Sequence, residues 1–456
     1  MKKTLLVYTI VSSFFLYNAC TSGAKKAVED IPVTPETALK SYLKNGDNTF
    51  KWEVKEEYSL GEVKAFDILL TSQKWREHTW THQLTIFVPS EIKYNGTLLY
   101  ITGGSNSNGQ PNWKDKNDGR AKSFIQIAHK NSAVVAIVRQ TPNQPLYDDL
   151  VEDQLISFTL HNFKNDGDFT WPLLFPMVKT AVKAMDVVQD FTKKELKIET
   201  QNFTVCGGSK RGWTTWLTGA MDPRVEAIGP MVIDVLNMPV SLDYQVEAWN
   251  EYSIQIEDYT KLEIPQSVNT ESGKAITQMV DPYSYRSSLT MPKMLFIGTN
   301  DEYWPVDAIK NYIYEIPGEN YIHYVPNAGH DLAGGEQALR ALSAFWGRTL
   351  AKSKYPACNY EISSDNSSAT LAVQASPDEL LNAYIWSASS DDRDFRDEEW
   401  TSSSIDSEDK NSITYTVNFP ETGFKAFYID LEYSDPNGGK YTKSSRMYVV
   451  NTEGVL

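Results

Sequence analysis

The chain has 456 residues, 41% hydrophobic and 22% charged, with a formal net charge of −16. That length exceeds one ordinary hydrophobic core, so two domains are expected. The acidic balance argues against nucleic acid or an anionic membrane surface as a partner.

The N-terminus, "MKKTLLVYTIVSSFFLYNAC", places two lysines before an apolar stretch that ends in small or polar residues and a cysteine. The pattern predicts a signal peptide over residues 1–20. Its end at Ala19–Cys20 resembles a bacterial lipoprotein signal, with Tyr17 where a leucine is usual. The resemblance implies that Cys20 is lipidated and becomes the mature N-terminus. The protein would then sit in the cell envelope, touching membrane only through that anchor; plain secretion is the alternative. Polar residues 21–35 read as a tether. Only Cys206 and Cys358 remain, too few for a disulfide framework. Cys206 falls in an apolar strand, the usual place of a buried, inert thiol.

Between residues 50 and 90, "KAFDILLTSQKW" and "HTWTHQLTIFVP" alternate as strands do. His78 and His82 lie in the second of these, four residues and roughly 13 Å apart, too far to share one metal ion. They are expected to be exposed strand residues, and no metal or other cofactor is called for. "GTLLYITGGSNSNG" is a buried strand breaking into a Gly/Asn/Ser loop. "KSFIQIAHKN" has a helical pattern, and "SAVVAIVRQTPNQP" is a strand stopped by prolines. "WPLLFPMVKTAVKAMDVVQDFTKKE" has helical periodicity, and "QNFTVCGG" is a strand running into Ser209 and a helix. "VEAIGPMVIDVLNM" and "PKMLFIGTNDEYWP" add two buried strands, with a helical, cap-like insertion at about 240–285. Apolar strands alternating with helices predict an α/β fold with a mostly parallel sheet over residues 36–355.

From residue 357 to 456 strands continue without a good helix, and "DPNGG" signals a hairpin turn. This segment holds 18 acidic and 7 basic residues, and so carries −11 of the −16. It is predicted to be an acidic β-sandwich domain, separable and without catalytic residues.

An isolated serine is a poor nucleophile; it needs an imidazole base, which in turn needs an orienting carboxylate. α/β-Hydrolases supply the three in the chain order Ser, Asp/Glu, His, each at a strand's C-terminal end. Ser209, Asp301 and His330 occur in that order and in those contexts. A serine in a glycine turn is by itself usually only a turn residue; the agreement of three contexts is what selects this set. Asp234 also ends an apolar strand and is the rival carboxylate. The elbow "GGSKRG" departs from G-x-S-x-G and matches a G-x-S-x-x-G variant, as in glucuronoyl esterases. Arg211 at the second position is expected to loosen the approach of helix to strand. The Lys210 backbone N–H, with Gly103 and Gly104 of "ITGGSN", would form the oxyanion hole. Lys210 and Arg211 either lend positive charge to substrate binding, Arg211 above all, or are solvated or paired with acids.

"LTSQKW", "YITGGSN", "TWPLLFPMVKTAVKAMD", "GGSKRGWTTWLTGAMDPRV", "DPYSYRSSLTMPKMLFIGTNDEYW" and "PNAGH" resemble the PhoPQ-activated pathogenicity-related proteins over roughly residues 36–350. The resemblance implies an α/β-hydrolase fold, export, and the triad Ser209, Asp301 and His330. The expected activity is hydrolysis of an ester or amide in a small-molecule or peptide substrate, esterase ahead of peptidase. The alternative is a secreted or envelope-bound binding or signalling protein on a hydrolase fold.

Overall fold

The computed structural model describes residues 32–456. The expected signal peptide, Cys20 and most of the tether lie outside the described residues. Residues 33–456 form one compact unit.

The strands are β1 (Lys51–Leu60), β2 (Val63–Trp75), β3 (His78–Pro89), β4 (Thr97–Ile101), the small hairpin β5 (Asn106–Ser107) and β6 (Gln110–Pro111), β7 (Val135–Val138), β8 (Phe203–Gly208), β9 (Val225–Met231), β10 (Lys293–Gly298) and β11 (Asn320–Val325). The helices are α1 (Ala38–Leu43), α2 (Gly119–Asn131), α3 (Glu152–Asp166), α4 (Leu174–Phe191), α5 (Lys210–Met221), α6 (Met238–Trp249), the single turn α7 (Glu257–Thr260), α8 (Glu271–Val280) and α9 (Glu336–Leu350).

The central sheet runs β1-β2-β3-β7-β4-β8-β9-β10-β11, parallel from β7 to β11 and antiparallel before it. Its parallel strands are apolar on both faces because both faces are covered. Phe124 of α2 and Leu342 and Phe345 of α9 pack with Leu98, Val135 and Phe296 in one core. Met185 of α4 and Trp216 of α5 pack with Leu99, Val205 and Leu295 in the other. Residues 232–292, between β9 and β10, carry α6, α7 and α8 with short 3-10 turns, and so interrupt the strand–helix alternation.

The later strands are β12 (Cys358–Ser364), β13 (Ser368–Ala375), β14 (Leu380–Ser390), β15 (Thr401–Ser404), β16 (Ser412–Asn418), β17 (Phe424–Ser434), β18 (Lys440–Ser444) and β19 (Tyr448–Val450). They make two layers, as a sandwich does, but not a separate body. One layer continues the central sheet as β11-β18-β17-β14-β15, joined where Ile322 of β11 pairs with Ser444 of β18. The other layer, β12-β13-β16, buries Leu371 and Val373 in the core that also holds Ile429, Leu431 and Phe296. The expectation of a separable domain is thereby corrected. Without β18, strand β11 would present unpaired N–H and C=O groups at an edge; the C-terminal strands cover it. The turn at "DPNGG" joins β17 to β18, with Gly438 and Gly439 at φ 98° and 90°.

His82 also departs from expectation. Helix α4 covers this face of β3, with Thr180 Oγ1 3.3 Å from the imidazole Nε2, so His82 is fully buried. Its Nδ1–H donates to the Arg139 carbonyl (3.0 Å) and its Nε2 accepts from Ser72 Oγ (2.9 Å). Burial pushes the imidazole down to about 4, so it is neutral at physiological pH. Among the described residues no cluster of three or more His, Cys, Asp or Glu is disposed to hold a metal ion. Cys206 and Cys358 are both buried free thiols.

Candidate active site

Ser209 lies between β8 and α5 with φ 56° and ψ −126°, a backbone conformation that costs a non-glycine residue energy. The strain is held from both sides. The Ser209 N–H donates to the Met231 carbonyl at the end of β9 (2.9 Å), and its own carbonyl accepts from the Trp213 N–H (2.9 Å). The expected loosening by Arg211 does not occur. Gly212, one residue further on, takes the close approach instead. A Cβ there would stand 2.7 Å from the Met231 carbonyl oxygen and 3.1 Å from that of Gly207. The helix therefore seats directly on the strand ends, with a glycine three residues after the serine.

His330 follows β11, and its Nδ1 lies 3.0 Å from both carboxylate oxygens of Asp301, which follows β10. This contact puts the proton on Nδ1 and leaves Nε2 an acceptor. Nε2 is buried and has no hydrogen-bond partner among the described residues. Ser209 and His330 border the same cavities, although no hydrogen bond joins them. Asp234 does not compete for the imidazole. It accepts from the Tyr312 hydroxyl (2.5 Å), and burial pushes its carboxyl up to about 7.

The two residues after Asp301 also act on the histidine, which the sequence reading did not anticipate. Glu302 Oε2 accepts from the His330 backbone N–H (2.9 Å), and its carboxylate lies where a side chain at 329 would stand, 2.6 Å from a Cβ built on Gly329. The Tyr303 ring stacks on the imidazole at a centroid distance of 4.0 Å. Both loops are further tied to the C-terminal segment. The Asn300 amide donates to the Glu398 carbonyl (2.8 Å). The Asn327 amide donates to the Trp400 carbonyl (2.9 Å) and accepts the Trp400 N–H (2.8 Å).

Lys210 and Arg211 are not free cations. The Arg211 guanidinium donates to both oxygens of Glu152 (2.7 and 2.6 Å) and, through Nε, to the Thr141 carbonyl. Lys210 Nζ sits 2.8 Å from Asp153 and 3.4 Å from Glu152. Burial alone would raise the Glu152 carboxyl; the Arg211 and Lys210 charges hold it down at about 2. Arg211, expected to bind substrate, borders a cavity with Ser209 and His330, but its guanidinium is paired with Glu152 rather than free. It also has a structural task. The guanidinium fills the space beside Gly103, where any side chain would collide with it. Glu152 is also bonded to Gln144 Nε2 (2.6 Å), which reaches the Gly104 carbonyl (3.1 Å). Gly103 borders a cavity with Ser209 and His330. Gly104, at φ 146°, is turned against Gln140. The Lys210 N–H is the first of its helix and so lacks an intrahelical acceptor.

Two cavities meet at Ser209 and His330. One, of ≈ 90 Å³, lies beneath the helical insertion and is almost wholly carbon-lined, by residues such as Trp213, Leu242, Ile256 and Ile276. The other, of ≈ 520 Å³, is more polar and is bordered by Thr102, Gly103, Arg120, Ser123 and Asp331.

A parallel sheet crossed by a strained serine turn, with a carboxylate and a histidine at the ends of later strands, defines the α/β-hydrolase fold. A family model described as PhoPQ-activated pathogenicity-related protein matches residues 39–396. The chain belongs to that family. It is 31% identical over 432 residues to autocrine proliferation repressor protein A of Dictyostelium discoideum, covering 87% of this chain and 86% of that protein. Among solved structures, an acetyl xylan esterase from Thermoanaerobacterium sp. superposes with TM-score 0.46 at 14% identity, covering 69% of this chain and 94% of its own. An S-formylglutathione hydrolase from Agrobacterium tumefaciens does so with TM-score 0.43 at 10% identity, covering 65% and 99%.

Proposed function

We propose that the protein is an exported serine hydrolase that cleaves esters through an acyl-enzyme. The observation that carries this reading is the His330–Asp301 pair, with an unpartnered Nε2 bordering the same cavities as a strained Ser209. In the mechanism His330 takes the proton of Ser209 Oγ, which attacks the carbonyl carbon. Asp301 orients the imidazole and stabilises the imidazolium. The Lys210 and Gly103 N–H groups receive the developing oxyanion, and the Gly104 turn holds the loop in place. His330 then protonates the leaving group, and water releases the acyl group by the same steps. Export and anchoring at Cys20 are proposed from the N-terminal sequence, and they place the enzyme in the bacterial envelope.

A binding or signalling role is the second reading, favoured by the name of the Dictyostelium relative, a proliferation repressor. A fluorophosphonate probe separates the two. The enzyme reading expects covalent labelling at Ser209. It also expects Ser209→Ala to lose labelling and several orders of magnitude of ester turnover. A wild-type protein that binds its partner yet never labels supports the second reading.

A further inference from the structure

The two cavities at the nucleophile differ in chemistry, and the difference has a structural cause. On the apolar side the polar groups nearest Ser209 are used within the protein. Lys210 is paired with Asp153, the Tyr259 hydroxyl donates to the other Asp153 oxygen (2.8 Å), and the Trp213 indole N–H donates to the Val280 carbonyl (2.6 Å). What remains facing the chamber is mostly carbon, from α5, α6, α8 and the segments between them; the exception is Trp304, whose Nε1 is buried and has no partner among the described residues. On the other side, Arg120 donates to Thr102 Oγ1 (2.6 Å), and no ion pair involves it among the described residues. Asp331 is exposed at the same cleft.

We propose that the substrates are esters joining a short apolar group, held in the chamber, to a polar group, held in the cleft. The proposal rests on the serine hydrolase reading and names its substrate class. The chamber of ≈ 90 Å³ is smaller than the ~150 Å³ apolar cavity that admits a benzene ring, which sets a ceiling of about five carbons. Each methylene added below that ceiling contributes about fourfold in kcat/KM, the factor expected for burying one such group. Leu242 stands in the chamber wall and is only half-buried, so it can be resized without disturbing the core.

The test uses the full-length protein and two ester series. One varies the acyl chain on glycerol; the other varies the alkyl alcohol on a hydroxy acid. The expected result is that one series rises in kcat/KM to four or five carbons and falls by eight. Leu242→Ala should move that optimum to longer chains and Leu242→Phe to shorter ones. A flat profile in both series, or an optimum that neither variant moves, overturns the proposal while leaving the hydrolase reading in place. Binding of the same esters to Ser209→Ala, followed by calorimetry, keeps the two apart. Chain-length-dependent affinity without turnover by the wild type supports the chamber and refutes the hydrolase. Affinity that ignores chain length refutes the chamber.

Discussion

Replacing Glu152 by glutamine removes a negative charge that two cations beside Ser209 depend on, with little change in shape. In the wild type its carboxyl is held at about 2, against burial, by Arg211 and Lys210. A displacement of roughly two units from the ordinary value is worth ~3 kcal/mol. The side chain is 35% exposed, and solvent screening brings the expected loss for the variant to about 1.5 kcal/mol. The pH dependence has a definite sign. A lowered carboxyl holds fewer protons folded than unfolded, so its contribution is complete above about pH 4.5 and disappears as pH falls toward about 2. Urea unfolding of both proteins from pH 7 to pH 2.5 should therefore show a gap at neutral pH that narrows on acidification. Effects of the other carboxyl groups cancel in the difference. A gap below about 0.5 kcal/mol at pH 7, or one that stays constant down to pH 2.5, would refute the pairing as an energetic feature.

Asp301→Asn should lower kcat about 1,000- to 10,000-fold by fixing the wrong imidazole tautomer. Asp234→Asn should leave turnover within a few-fold, and equal losses in both would reverse the assignment. Because the Asp234 carboxyl is raised to about 7, the wild type should lose stability as pH rises from about 4 through 7. The asparagine variant should have a shallower slope there, measurable by thermal melts at pH 5 and pH 8. Asn327→Ala, which frees the histidine loop from Trp400, should cost about 10- to 100-fold in kcat with KM little changed and the melting temperature nearly kept. A parallel rise in KM would mean that this loop shapes substrate binding instead.

The local parts of the site were legible in the sequence, because each is written within a few residues. "QNFTVCGGSKRGW" codes an apolar strand, a turn and a helix, and Ser209 can only be at their junction. Asp301 and His330 could be read as strand-end residues for the same reason. What failed was long-range pairing. Nothing near Arg211 announces Glu152, 59 residues earlier, whose carboxylate pairs with the guanidinium. The character of the C-terminal strands was legible, but their attachment was not. A strand's alternation shows which face is buried and leaves open which neighbour it bonds, so β18 gave no sign that it closes the edge of β11. His82 was misplaced for a related reason: alternation in β3 suggested an open face, whereas β2, β7 and α4 enclose it. Glu302 and Tyr303 had one available signal, their position next to Asp301.

The ties from Asn300 and Asn327 to residues 395–400 bear on the order in which the molecule becomes competent. The serine turn is complete once β4, β8 and β9 have come together, and all of these precede residue 232. The loops of Asp301 and His330 bond to each other, through Glu302 and Thr299, but gain their ties to Glu398 and Trp400 only from a segment synthesised about 70 residues after His330. A nascent chain, or one clipped in the exposed stretch around Asp397 and Glu399, holds Ser209 in its turn while the His330 loop lacks these ties. Assembly of the site thus runs along the chain from the Ser209 turn to the His330 loop, and its last ties come from a segment late in the sequence.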